Sequence, residues 1–342
     1  MNFVSDNAYG ASAEILAAVA AASAGAATSY GDDTVTARVQ ERLSEIFECE
    51  VAAFPVVTGT AANALALATL CPPYGAIFCY AESHIAVDEC GAPEFFSGGA
   101  KLVPLAGKAA KITPEAVGAA LPLFRSPPHN QKPSVISITQ ATELGTLYTQ
   151  AEIAALGALA HREGMALHMD GARFANAVAA LGCKPADITW KAGVDALSFG
   201  ATKNGALCAE AVIFFDKARA ADFEYRRKKS GHLLSKTRFI SAQLEAYLQD
   251  GHWLKTAAHA NALTAKLAQG LAGIEGAELA HKVEANEIFV RLPDASAARL
   301  RAAGAQFYDW APSQGGRTLA RLVLSFATPE ADIEKFLEVA RA

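Results

Sequence analysis

Lys203 lies in the segment Ala196-Leu197-Ser198-Phe199-Gly200-Ala201-Thr202-Lys203-Asn204-Gly205. Its small neighbours leave room for a flat ring to approach the amine. A lysine in such a setting is a candidate Schiff-base nucleophile toward a carbonyl compound, with Thr202 as a neighbouring contact. A second segment reads Leu167-His168-Met169-Asp170-Gly171-Ala172-Arg173. Asp170 ends an apolar run, and a buried carboxylate needs a partner because an unpaired buried charge is costly. A protonated pyridine nitrogen is such a partner. Arg173, three residues on, can present a bidentate fork to a carboxylate. The third segment is Thr58-Gly59-Thr60-Ala61-Ala62-Asn63. Gly59 permits a tight turn and Thr60 is placed to cap a following helix, whose free N–H groups and positive end make a phosphate site. No Walker lysine follows, so a nucleotide P-loop is not expected.

Each segment alone has an ordinary reading: a surface lysine, an aspartate cap with a solvated arginine, a plain strand–turn–helix junction. Together they supply anchors for a phosphate, a pyridine nitrogen and an imine carbon, which is the set that pyridoxal 5′-phosphate (PLP) requires. His84, in Glu82-Ser83-His84-Ile85, is placed to stack on a cofactor ring and to move protons near neutral pH. Arg321, between apolar residues in a late strand, needs an anionic partner, either substrate or a structural acid.

The elements that must hold these residues alternate. Apolar, β-rich runs at Val51–Val57, Ala76–Tyr80, Lys101–Leu105, Ser134–Thr139, Ala166–Met169, Ala196–Phe199 and Ala211–Phe215 are separated by helical stretches, among them Ala61–Leu70, Pro114–Phe124, Gln150–Glu163 and Arg173–Leu181. Continuous apolar strands joined by helices predict an α/β fold with a mostly parallel, seven-stranded sheet covered on both faces. In such sheets ligands bind at the carboxyl ends of the strands, where all three segments fall. After about Asp216 the rhythm changes. A basic segment, Tyr225–Lys229, leads to helices at Lys236–Gln249 and His252–Leu271. Strands at Glu287–Leu292, Ala305–Tyr308 and Leu319–Phe326 then alternate with helices at Ala295–Ala303 and Pro329–Ala340. The expected organisation is a large domain over residues 1–250, N-terminal segment included, and a smaller α+β domain over residues 251–342.

The chain has 342 residues with a net charge of −5, which disfavours nucleic acid and anionic membranes as partners. Six scattered cysteines form no C-x-x-C, and none sits at zinc-ligand spacing with a histidine, so reduced thiols and a cytoplasmic location are expected. The histidines show no metal-ligand spacing and no metal is expected. The alanine-rich stretch Ile15–Ala27 follows Ser5-Asp6-Asn7 and Glu14 rather than a basic region. It is read as a helix and not as a signal peptide.

The segments Ser5-Asp6-Asn7, Tyr30-Gly31-Asp32-Asp33, Thr58–Asn63, His84–Phe96, Gln140–Thr146, His168–Ala175 and Ser198–Gly205 resemble those of the low-specificity L-threonine aldolases, PLP enzymes of fold type I with the aspartate-aminotransferase-like architecture. The resemblance runs from the amino terminus to about residue 240, and Asp88–Phe96 is its most specific part. It implies a PLP-dependent aldolase that cleaves L-threonine, L-allo-threonine or related β-hydroxy-α-amino acids such as phenylserine to glycine and an aldehyde. By the resemblance, Lys203 carries the Schiff base and Asp170 binds the pyridine nitrogen. Thr58, Gly59 and Thr60 bind phosphate, and His84 stacks on the ring. Ser5, Arg173 and Arg321 hold the substrate carboxylate. His129, in Pro127-Pro128-His129-Asn130, is a second acid/base candidate, and Glu89 completes a proton or water network. The base itself is His84, His129 or an activated water. Lys228 or Lys229 reaches a neighbouring subunit's cofactor phosphate, in a homotetramer built as a dimer of dimers with shared active sites. Two other readings stand beside this one: a β-eliminating lyase or aminotransferase on the same fold, and a non-catalytic scaffold.

Overall fold

The computed structural model describes residues 1–342. Seven strands, β1 (Ala52–Val56), β2 (Gly75–Tyr80), β3 (Lys101–Leu105), β4 (Lys132–Thr139), β5 (Ala166–Gly171), β6 (Ala196–Gly200) and β7 (Glu210–Phe214), form one sheet in the order β1-β7-β6-β5-β4-β2-β3. All pairings are parallel except those of β7, which runs antiparallel to both β6 and β1. The exception follows from connection length. Parallel neighbours need a crossover of a dozen residues or more, and the link between Gly200 and Glu210 is shorter than that. The mostly parallel, seven-stranded sheet expected from the apolar runs is therefore present, and every expected strand of it overlaps an observed one.

The second sheet has the order β10-β11-β9-β8 and is antiparallel throughout, with β8 (Glu278–Leu279), β9 (Glu287–Pro293), β10 (Tyr308–Gln314) and β11 (Arg317–Val323). Here two expectations are corrected. The two-residue β8 was not foreseen, and the strand expected at Ala305–Tyr308 begins instead at Tyr308. β10 is an edge strand with register shifts on both sides of Ala311, and it contains Pro312. Proline and bulges are tolerated at a sheet edge, but they erase the alternation by which a strand is recognised.

A large apolar cluster is built on the first sheet, including Met169, Phe174, Leu197 and Phe199, and a smaller one on the second, including Ile288, Leu322 and Phe336. The helix His252–Ala272 belongs to both: Trp253 and Ala257 pack in the larger cluster, Leu263, Leu267 and Leu271 in the smaller. Phe3 also packs in the smaller cluster, its ring 5.3 Å from that of Phe336. The amino-terminal segment thus crosses from the small core to the end of the large sheet. All six cysteines are free, and no helix is long and apolar enough to cross a membrane.

At the carboxyl ends of β5 and β6 the backbones approach unusually closely. A Cβ at Gly200 would lie 2.6 Å from the Ala172 carbonyl oxygen and 2.7 Å from its Cα, so only glycine fits. This contact fixes the strand bearing Asp170 against the strand leading to Lys203. Gly200→Ala should therefore cost about 1–3 kcal/mol, read as a lower urea midpoint; an unchanged midpoint would show that the two strands part freely.

Candidate active site

Lys203, Asp170, Arg173, Thr202, His84, Thr58, Gly59 and Thr60 all line one cavity of about 450 Å³ at the carboxyl ends of the strands. Asn7, Asn63, Glu143 and Glu210 line it too.

The phosphate-type end is the start of the helix Gly59–Leu70, which directly follows β1. The cap is Thr58, not Thr60 as the sequence suggested: Thr58 Oγ1 accepts from Ala61 N at 3.1 Å. The first N–H groups of an α-helix have no intrahelical partner. With the Thr58 hydroxyl taken by Ala61, those of Gly59 and Thr60 remain as donors at the cavity wall.

Asp170 closes β5 and is 4 % exposed. Its Oδ1 accepts from Ala172 N at 2.9 Å and its Oδ2 from Asn63 Nδ2 at 2.8 Å. The same Asn63 amide donates to Glu89 Oε1, also at 2.8 Å, and that oxygen meets His84 Nδ1 at 2.8 Å. Glu89 therefore stands behind His84 and outside the lining. Its hydrogen bond raises the His84 pKa above the ordinary histidine value, while burial raises that of Glu89 itself. Ligand atoms of His84, Glu89 and Asp170 lie within 4.8 Å of one another, a spacing that suits a cation; the Asn63 amide supplies hydrogen bonds to both carboxylates at that point. One turn deeper, buried His168 bridges Ser137 Oγ at 2.9 Å and Ser198 Oγ at 3.0 Å, tying β4, β5 and β6 together. Burial lowers its pKa to about 4, so it is a neutral brace.

Lys203 follows β6 in a short 3₁₀ turn, Thr202–Asn204, held by Asn204 Nδ2 donating to Tyr247 Oη at 2.9 Å and to the Trp253 carbonyl at 2.8 Å. Glu210, at the start of β7, accepts from Ala201 N at 3.1 Å, and burial pushes its pKa up to about 7.

The arginines are engaged differently from the sequence expectation. Arg173 Nε and Nη2 donate to Asp6 at 2.7 and 3.1 Å, and its Nη1 lies 3.1 Å from Glu287 Oε2. Burial opposes charge on both Arg173 and Asp6. Their mutual attraction outweighs it, raising the pKa of Arg173 and lowering that of Asp6. Arg321 donates to Glu287 Oε1 through Nε at 3.0 Å and Nη2 at 2.7 Å, and its guanidinium lies 5.3 Å from the Trp310 ring centroid. Its anionic partner is thus a structural acid, and Arg321 is not in the cavity lining. Ser5 is outside the lining as well; its Oγ accepts from Asn7 N at 3.1 Å. His129 is exposed, in the loop before β4, at the amino end of that strand and so away from the cavity of its own chain. Lys228 is exposed over the Tyr30 ring at 4.7 Å.

Asn63, Asp6, Glu143 and Glu210 were not singled out from the sequence. Glu143 had a usable signal: it follows the end of β4 by four residues, just as Lys203 follows β6 by three.

The residues present fit PLP. Open backbone donors, a buried carboxylate and an amine line one cavity, and the carboxylate lies on the strand between the other two anchors and β4. Comparison with known proteins agrees. The β-eliminating lyase family model matches residues 2–295. A low specificity L-threonine aldolase of Pseudomonas aeruginosa is 45 % identical over 339 residues, covering 99 % of this chain and 96 % of the relative. The structure of a Leishmania major threonine aldolase superposes with a TM-score of 0.94 at 29 % identity, covering 99 % of this chain and 98 % of that one. An aspartate aminotransferase from Rhodobacter sphaeroides, 19 % identical, shares the fold with a TM-score of 0.72, covering 100 % of this chain and 91 % of its own. The chain accordingly belongs to the low-specificity L-threonine aldolase family, within the β-eliminating lyases, on PLP fold type I.

Proposed function

We propose that this chain reversibly cleaves L-threonine, L-allo-threonine or a related β-hydroxy-α-amino acid such as phenylserine to glycine and an aldehyde, with PLP as cofactor. The observation that carries the reading is the convergence of the Lys203 amine, the Asp170 carboxylate and the helix-start donors at Gly59 and Thr60 on one cavity. When bound, PLP supplies an electron sink for the electron pair of the broken Cα–Cβ bond.

The protein's part is to bind, orient and move protons. Lys203 would hold the cofactor at its carbonyl carbon. Asp170 would hold the ring nitrogen, whose protonated form a neighbouring carboxylate favours. Thr58, Gly59, Thr60 and Thr202 hold the phosphate end. Arg173, the guanidinium in the lining, takes the substrate carboxylate, with Ser5 and Arg321 supporting it from outside the lining. Its guanidinium is held in place by Asp6 and Glu287, with which a substrate carboxylate would share it. Fixing the carboxylate fixes rotation about the substrate's N–Cα bond, and so selects which bond at Cα is aligned for cleavage. His84 is the candidate base for the β-hydroxyl proton. With its Nδ1 committed to Glu89, a neutral ring carrying its proton there presents a basic Nε2. His129 remains a candidate only from another subunit. We read the assembly as a homotetramer, in the cytoplasm, in which Lys228 serves a neighbour's phosphate. Arg227 on the same helix is buried with its Nε and Nη2 unpartnered, which supports a partner for this basic segment.

Incubation of the PLP-loaded protein with threonine should release glycine and acetaldehyde. Pyruvate and ammonia would instead mark a β-eliminating lyase. Lys203→Ala should abolish the violet absorbance of the lysine-bound cofactor, and a persisting band would refute its role. Asp170→Asn should bind PLP loosely and turn over about a hundredfold or more slower; near-normal turnover would count against the pairing with the ring nitrogen. Glu89→Gln should return the His84 pKa toward its ordinary value. If neutral His84 is the base, activity rises as pH climbs through that pKa, so the acid limb of the pH–rate profile should move to lower pH. An unmoved limb would remove His84 from the proton path.

A further inference from the structure

Glu143 lines the cavity but has no part in the reading above. Both donors that reach it go to the same oxygen: Thr139 Oγ1 donates to Oε1 at 2.7 Å and His84 N donates to Oε1 at 3.1 Å. Its Oε2 is buried and has no hydrogen-bond partner. An ionised carboxylate with one oxygen bare and buried is costly, whereas a protonated one places a hydroxyl donor there. Burial pushes the Glu143 pKa up to about 7, and the Asp170 charge adds to the effect.

The order of strands says what this donor meets. Along the sheet from β1 to β4 lie, in turn, the helix-start donors after β1, Lys203 after β6, Asp170 on β5 and Glu143 after β4. On the PLP ring the phosphate arm and the hydroxyl flank the carbonyl carbon on opposite sides, and the nitrogen lies across from that carbon. With the phosphate toward β1 and the nitrogen at Asp170, the ring edge bearing the hydroxyl oxygen would lie toward β4.

We propose that Glu143 contacts the cofactor as a protonated acid, its Oε2–H donating a hydrogen bond to the ring hydroxyl oxygen of PLP. The proposal rests on the cofactor assignment above. It gives the ring a fourth anchor and makes that anchor pH-sensitive: the donor is present at low pH and lost as pH rises through the Glu143 pKa. The titratable and charged groups around it are Asp170 on β5, His84 after β2, Cys79 and Tyr80 on β2, and Tyr148 beyond its own loop. Arg173, Lys203, Cys208 and Glu210 face it across the cavity.

The test compares PLP-loaded wild type, Glu143→Gln and Glu143→Leu without substrate, by spectroscopic titration of PLP affinity and by the pH dependence of bound-cofactor absorbance. Gln keeps an acceptor for Thr139 and His84 and puts an N–H where Oε2–H was. Its affinity should stay within about threefold of wild type, and that of Leu should weaken about tenfold. A wild-type spectral transition near pH 7 should vanish in Gln, whose amide does not titrate, while any transition due to His84 remains in both. Gln binding as poorly as Leu, or a Gln spectrum that titrates exactly as wild type does, overturns the proposal alone. Failure of wild type to bind PLP through Lys203 would overturn the cofactor assignment and this proposal together.

Discussion

Glu89 and Asp170 are both buried, and both accept from a single amide, the Nδ2 of Asn63, each at 2.8 Å. Two like charges this near would repel each other strongly in a poorly solvated site. The two hydrogens of the amide are shared one to each carboxylate, and His84 Nδ1 meets the same Glu89 oxygen, Oε1, leaving Oε2 buried and unpartnered. Asn63 lies on the helix Gly59–Leu70, whose own start forms the phosphate-type end of the cavity. The helix whose first N–H groups stand open at the cavity wall therefore also sets the spacing between Asp170 and the Glu89–His84 pair.

A second buried network joins parts of the chain that are distant in sequence. Asp6, Arg173, Glu287 and Arg321 form an alternating run of acid and base, closed by Asn286 Nδ2 donating to Asp6 at 3.0 Å. It links the amino-terminal segment, the end of the large sheet and the two inner strands of the small one, β9 and β11. Buried ion pairs contribute little net stability, but removing one partner leaves an uncompensated charge. The network is better understood as fixing the small sheet against Arg173 at the cavity wall. It also keeps Arg173 charged at the cavity wall, between two acids.

Much of this was legible from residue order. Apolar runs alternating with helical stretches specify a covered parallel sheet because burial on both faces requires it. Lys203, Asp170 and Gly59 could be picked out because the carboxyl ends of such strands are where ligands bind. The edge strand β10 was misplaced because Pro312 and the irregular register around Ala311 break the pattern on which a strand assignment relies. Thr58 rather than Thr60 caps its helix, a two-residue difference that residue type does not resolve, since both are threonines.

Local sequence determined the large sheet and the chemical identity of the three anchors, since these depend on hydrophobic period and side-chain type within a few positions. Tertiary structure alone decided who partners whom. That Asn63 stands between Glu89 and Asp170, that Asp6 and Glu287 rather than solvent hold Arg173, that Arg321 meets a structural acid, and that Glu143 keeps one oxygen bare all depend on contacts between segments far apart in the chain. The reason is physical: hydrogen bonds and ion pairs act over a few ångströms of space, and only the folded chain sets that distance for residues separated by tens to more than a hundred positions.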